Sequence, residues 1–210
     1  MIQAPQALAR LREGNKRFAT GQRQHDNLTE QFRRSVLVDG QNPFAVILGC
    51  SDSRVPVEVI FDQGLGDLFV IRVAGNIVAP SQIGSVEFAA ERFGIQLVVI
   101  LGHTRCGAVQ VTLDELRQPR EDQSRNLRSI VERIRPSVEG LLETDLRNDP
   151  ETLVKHAIRT NVRVAGNYLR HGSKLLEQMI DQDSLLVVGA VYSLETGEVE
   201  FFDGLPPETG

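Results

Sequence analysis

Two apolar runs in this chain end in the same way, and that repetition limits the fold more than any other feature of the sequence. Phe44 to Leu48 leads through Gly49 into Cys50-Ser51-Asp52-Ser53-Arg54, and Leu97 to Leu101 leads through Gly102 into His103-Thr104-Arg105-Cys106-Gly107. A short aliphatic run with no polar alternation reads as a strand buried on both faces, the kind found inside parallel sheets. If these two strands are parallel neighbours, Cys50, Asp52, His103 and Cys106 converge at their carboxyl ends, where open α/β sheets place their sites.

The rest of the chain supplies the helices such a sheet needs. Ala7, Leu8, Leu11 and Phe18 fall near one face of a helix from Gln6 to about Thr20, ended by Gly21. Because it precedes the first strand, it reads as an arm for another surface, such as a partner subunit. Leu28 to Val38 reads as a second helix, and Pro56 opens a short third. The strand Leu68 to Val73 follows a glycine-rich turn, Asp62 to Asp67, that lacks the helix a phosphate loop requires. Ser81 is placed to cap a helix through Phe93 with Ile83, Val86, Phe88 and Ala90 inward.

Beyond the second reactive loop, Ala108 to Leu116 reads as a helix whose first-turn N–H groups face the cluster. A polar linker leads to helices over Leu127 to Leu142, bent at Pro136, over Pro150 to Arg170 and over Ser173 to Ile180. The strand Ser184 to Tyr192 turns at Thr196-Gly197 into Val199 to Phe202, which pairs antiparallel at an edge; the tail with Pro206-Pro207 reads as loose. The expected fold is α/β: a mostly parallel central sheet of about five strands, the last antiparallel, flanked by helices, with an N-terminal helical arm. One domain accounts for residues 1–210, divided into an arm (1–40), a core carrying both loops (41–117) and C-terminal helices with edge strands (118–210).

Composition narrows the function. A net charge of -5, 5% aromatic residues and acids interleaved with arginines, as in Glu91-Arg92 and Glu132-Arg133, argue against a nucleic-acid surface. Apolar runs stay near six residues, where a membrane span needs about 20. Two cysteines in 210 residues, with no secretory pattern at Met1-Ile2-Gln3-Ala4-Pro5, point to the reducing cytoplasm. There, paired cysteines are metal or redox groups, and the missing C-x-x-C spacing disfavours redox.

Two thiolates and one imidazole make a Cys2His set, used by catalytic zinc sites that keep the fourth position open. His103 and Cys106 reach one ion from a single turn, and Cys50 joins from a distant loop. Asp52, two residues on, reaches the same ion as a fourth ligand unless Arg54 grips its carboxylate in a bidentate pair. Held off the metal, Asp52 can instead accept the proton of zinc-bound hydroxide and aim its lone pair. Cysteines at strand ends can equally be inert core residues, Asp52 and Arg54 an ordinary loop ion pair, and His103 a satisfied loop histidine. Their coincidence at two similar strand ends is what favours the metal. His25, His156 and His171 lack such company and read as surface residues.

At these residues the chain resembles the β-class carbonic anhydrases, whose pattern Cys-x-Asp-x-Arg followed by His-x-x-Cys-Gly stands complete here. The similarity runs from about Gln41 to Val111 and includes Phe69-Val70-Ile71-Arg72 and Gly75-Asn76. The resemblance implies Zn2+ on Cys50, His103 and Cys106, a catalytic dyad of Asp52 and Arg54, and reversible hydration of CO2 to bicarbonate and a proton. It further implies that Gln41 contacts a substrate oxygen and that Phe69, Val73, Phe88 and Gly107 line the pocket, Phe88 standing where a tyrosine is common. Ile47 replaces the tryptophan that accompanies a bicarbonate-closed form, so the resemblance implies an open zinc. It also implies a homodimer or tetramer of dimers in which pocket residues come from the partner. Rival readings are hydrolysis of COS or CS2 on the same set and a non-catalytic zinc-binding module.

Overall fold

Leu97 to His103 is the spine of the molecule, seven residues with every one buried. The computed structural model describes residues 2–24, 35, 37–119 and 124–206. In it this strand, β3 (Leu97–His103), lies between β1 (Ala45–Gly49) and β4 (Leu186–Tyr192), both parallel to it. β2 (Leu68–Arg72) pairs parallel on the far side of β1, and β5 (Val199–Asp203) runs antiparallel beside β4. The sheet order is therefore β2-β1-β3-β4-β5. The chain leaves β1 for β2 on one side and returns to β3 on the other, so the carboxyl ends of β1 and β3 flank a switch point. Gly49 stands opposite Leu101, which brings Cys50 out of the sheet beside His103.

Both faces of the sheet are covered. On one, α1 (Ala4–Ala19) and α2 (Val57–Ile60) pack Ala7, Leu8, Leu11 and Ile60 against Ile47, Val99 and Val188. On the other, α3 (Pro80–Phe93), α6 (Pro150–His171) and α7 (Lys174–Asp181) pack Val86, Val162, Leu169 and Leu176 against Leu48, Val98 and Ile100. Each fully buried leucine, isoleucine or valine contributes about 1.5–3 kcal/mol. A third cluster sits beyond the strand ends, where α4 (Gly107–Arg117), α5 (Arg125–Val138) and the first half of α6 enclose Cys50 and Cys106 with Val109, Leu113, Ile134 and Leu153. This third cluster roofs the switch point.

Three expectations are corrected. The first helix is present, but its apolar face covers the chain's own sheet. Arg17 Nε lies 2.6 Å from the buried Asp62 carboxylate, and Asn15 bonds the Gly197 carbonyl at 2.9 Å and the Val199 N–H at 2.8 Å. In α3 the N-cap is Ala79, with Pro80 opening the helix, and Ser81 makes no cap. Phe88 points outward, 54% exposed, because the buried positions are Val86, Ala89 and Ala90 and residue 88 lies about 200° around from 86. Most of the second expected helix, Leu28 to Val38, lies outside the described residues, as do His25 and the tail from 207; a 3-10 turn occupies Leu37–Asp39. His156 and His171 are exposed. Among the described residues no helix is long and apolar enough to cross a membrane.

Candidate metal centre

Cys50 is the first residue past β1. The β1–β2 ladder continues briefly beyond it, with the Val73 N–H on the Gly49 carbonyl at 3.1 Å and the Ser51 N–H on the Val73 carbonyl at 3.3 Å. Arg72 clamps the same loop, donating from Nε to the Cys50 carbonyl at 3.1 Å and from Nη2 to the Asp52 carbonyl at 2.6 Å. Asp52 is thereby presented to Arg54, which donates Nε to Oδ1 at 2.9 Å, Nη2 to Oδ2 at 2.7 Å and its backbone N–H to Oδ1 at 3.0 Å. The Arg54 side chain, ahead of its backbone amide, holds the Asp52 carboxyl well below the usual carboxylate range. Asp52 is therefore an anion at any working pH.

His103 ends β3 and is wholly buried. Its Nδ1 lies 2.9 Å from the Thr104 carbonyl, an acceptor, so the proton belongs on Nδ1 and the Nε2 lone pair is free. Arg105 then adopts a left-handed conformation, φ 55°, which turns the chain back so that Cys106 caps α4. The Val109 and Ala108 amides of the first turn oppose, without reversing, the upward shift of its thiol.

The ligand atoms of Cys50, His103 and Cys106 all lie within 4.8 Å of one another. A tetrahedral zinc ion needs such atoms about 3.5–4 Å apart, a spacing small side-chain adjustments reach. His103 Nε2 is buried without a hydrogen-bond partner, a costly arrangement unless a cation accepts its lone pair. Hydrogen bonding from Cys106 draws the Cys50 thiol down, aided by the Gly75 N–H at 3.3 Å, while the bond to Cys50 and burial push Cys106 up. Two thiol sulfurs and an unused imidazole nitrogen fit Zn2+ in donor softness and number.

The structure separates the remaining expected residues into two groups. Asp52, named among the ligands, falls outside the three; its Oδ2 is 3.9 Å from His103 Nε2 and stays with Arg54. Val73 packs in the cluster around Cys50, and Gly107 follows Cys106 at the start of α4. Gln41, Phe69 and Phe88 are not brought to this centre within one chain. Gln41 precedes β1, at the opposite end from Cys50, where Asn42 and Phe44 border a 220 Å³ cavity with Phe93 and Ile95. Phe69 stands opposite Val46 early in β2 and stacks with Phe88 at 6.2 Å and Phe93 at 6.0 Å. Sequence reasoning gave no role to Arg72, Asn161 or Glu195. A charge ending an apolar strand was the one available signal for Arg72; the other two bond to residues 86 or more positions away.

A family model described as Carbonic anhydrase matches residues 45–199. Carbonic anhydrase 2 of Mycobacterium tuberculosis is 39% identical over 193 residues, covering 92% of this chain and 90% of that protein. The carbonic anhydrase of Mycolicibacterium smegmatis is 40% identical over 190 residues, covering 90% and 89%. Among solved structures, the β-carbonic anhydrase CafA of Aspergillus fumigatus superposes with a TM-score of 0.74 at 27% identity, covering 96% of this chain and 91% of that one. Sequence and fold thus agree with the donor set at the switch point, and the chain belongs to the carbonic anhydrase family, in its β class.

Proposed function

We propose that this chain hydrates CO2 reversibly to bicarbonate and a proton, with Zn2+ held by Cys50, His103 and Cys106. One observation carries the reading: Arg54 keeps the Asp52 carboxylate beside the three ligands but off them, 3.9 Å from the unused imidazole nitrogen. Zinc supplies Lewis acidity there, acidifying water near neutral pH and stabilising negative charge on oxygen. Asp52, already an anion with both oxygens fixed by Arg54, accepts the O–H of the attacking oxygen and turns its lone pair toward the carbon of CO2. Val73 gives an apolar wall, and Gly107 lets the α4 amides approach the product. Gln41, Phe69 and Phe88 serve the pocket from a second subunit, because no single chain brings them to the metal. The working form is then a homodimer or a tetramer of dimers. Both cysteines of the chain, Cys50 and Cys106, are unbridged and belong to the zinc set, which supports a cytoplasmic location.

Stopped-flow CO2 hydration by Arg54→Ala, with zinc measured in the same preparation, tests the reading. Losing a preorganised charge at the reacting atoms costs about 100-fold in turnover, and zinc stays stoichiometric while the freed Asp52 closes on the site. An unchanged rate would remove the dyad. Zinc without any CO2 hydration in the unaltered chain would leave the non-catalytic reading and hydrolysis of COS or CS2, which assays with those gases separate.

A further inference from the structure

Helix α6 buries one amide among apolar side chains. Asn161 is 3% exposed, with buried Ile158, Val162 and Ala165 nearby on the helix. Neither of its polar ends serves its own helix. Nδ2 donates to the Gly75 carbonyl at 2.8 Å, and Oδ1 accepts from the Ser137 hydroxyl of α5 at 3.3 Å. The Gly75 N–H, in turn, donates to Cys50 Sγ at 3.3 Å. A continuous buried path thus runs from α5 through α6 to a sulfur of the metal centre.

We propose that Asn161 is a positioning residue for this centre: by holding the Gly75 carbonyl it fixes the turn whose N–H is aimed at Cys50 Sγ. The proposal rests on reading Cys50, His103 and Cys106 as a zinc set. Gly75 sits at φ 70°, ψ 20°, in the left-handed region, and as glycine it has the least backbone preference of any residue. Its orientation must therefore come from contacts, and Asn161 supplies the polar one on its carbonyl side. An N–H···S bond stabilises thiolate charge and orients the sulfur. Groups one layer behind metal ligands change affinity by about 10- to 100-fold. Stability alone gives little reason for the amide, since apolar groups that replace a hydrogen-bonded pair at equal shape are nearly neutral.

The experiment uses the full chain with Asn161→Leu and with Ser137→Ala. Zinc affinity is measured by competition with a chromophoric chelator, and the thiolate charge-transfer band is recorded after Co2+ substitution. Asn161→Leu is expected to weaken zinc about 10- to 100-fold and shift the band. Ser137→Ala, which only loosens the amide, weakens it a few-fold in the same direction. A merely structural amide would lower Tm in both variants with affinity and band unchanged, and that result overturns the proposal. Should Asn161→Leu fail to fold, Ser137→Ala decides by the same two readouts. An unaltered chain that binds no zinc, or binds it equally with Cys50→Ser, overturns the site itself; normal zinc binding by the chain and unchanged binding by the variants overturns only the role of Asn161.

Discussion

The loop after β1 and the loop after β3 leave the sheet side by side, each just past a buried strand, and are held by different means. Cys50 is fixed from within: the Gly75 N–H reaches its sulfur, Arg72 ties its carbonyl, and Asn161 backs Gly75 from a core helix. The second loop has an outer brace. The Glu195 carboxylate, from the β4–β5 hairpin, accepts the Thr104 hydroxyl at 2.7 Å and Arg105 Nε at 2.7 Å, with Arg105 and Glu195 side chains 74% and 44% exposed. The two braces meet at Arg54, whose Nη2 lies 3.4 Å from the Arg105 carbonyl while its guanidinium grips Asp52. Around Cys50 the bonds from Gly75 and Asn161 are buried where salt cannot reach, although the Arg72 clamp is partly open, whereas the brace of the second loop is a pair exposed to solvent.

The largest effect should come from the ligands, and it should be the same for both loops. Cys50→Ser and Cys106→Ser each remove a donor from a three-residue set, so zinc content should collapse and CO2 hydration fall about 1,000-fold or more, as expected when a metal's several kcal/mol are lost. Metal analysis and stopped-flow rates check this, and a variant that keeps zinc would show that one loop dominates.

Next comes the inner brace. Alanine at Gly75 would force a side chain into left-handed backbone and place its Cβ 2.7 Å from Ile134 Cδ1 and 3.1 Å from Ala108 Cβ. Strain and overpacking together cost about 2–5 kcal/mol, a fall in Tm of roughly 5–15 °C. The loss should be the same at low and high salt. A salt-dependent loss would place this loop, too, under surface control.

Much of this was legible in the sequence, for reasons that also mark where legibility stops. Central parallel strands are continuous apolar runs, so β1 and β3 announce themselves, and the reactive residues follow at once. Motif spacing then named Cys50, His103, Cys106 and the Asp52–Arg54 pair, which the fold brings together. Phe88 was misread because an aromatic residue in a helix suggests an inner face, yet only Val86, Ala89 and Ala90 share the buried stripe of α3. Apolar spacing in α1 showed a buried face and could not say what it buries; Ala7, Leu8 and Leu11 turn out to face their own sheet. Asn161 left no local signature at all, since a lone amide in a helix does not name a carbonyl 86 residues away.

The smallest effect belongs to the outer brace, and its pH dependence separates it from the inner one. Hydrogen bonding from Thr104, with a smaller contribution from Arg105, lowers the Glu195 carboxyl below its ordinary value. A group whose folded pKa is depressed contributes stability above its unfolded pKa, about 4.3 for glutamate, and loses it as pH falls through the lowered folded value. Glu195→Ala should therefore lower Tm by about 1–2 °C near neutral pH and low salt, as for an exposed ion pair. That difference should shrink at high salt and vanish in acid, where unaltered Glu195 is itself protonated. Zinc should remain bound, because the Thr104 N–H still holds the Tyr192 carbonyl at 2.9 Å and His103 stays buried. Melting curves of the two chains across salt and pH measure this; an effect as large and as salt-independent as that of Gly75→Ala would mean that the exposed carboxylate sets the shape of the second loop, with the buried strand end secondary.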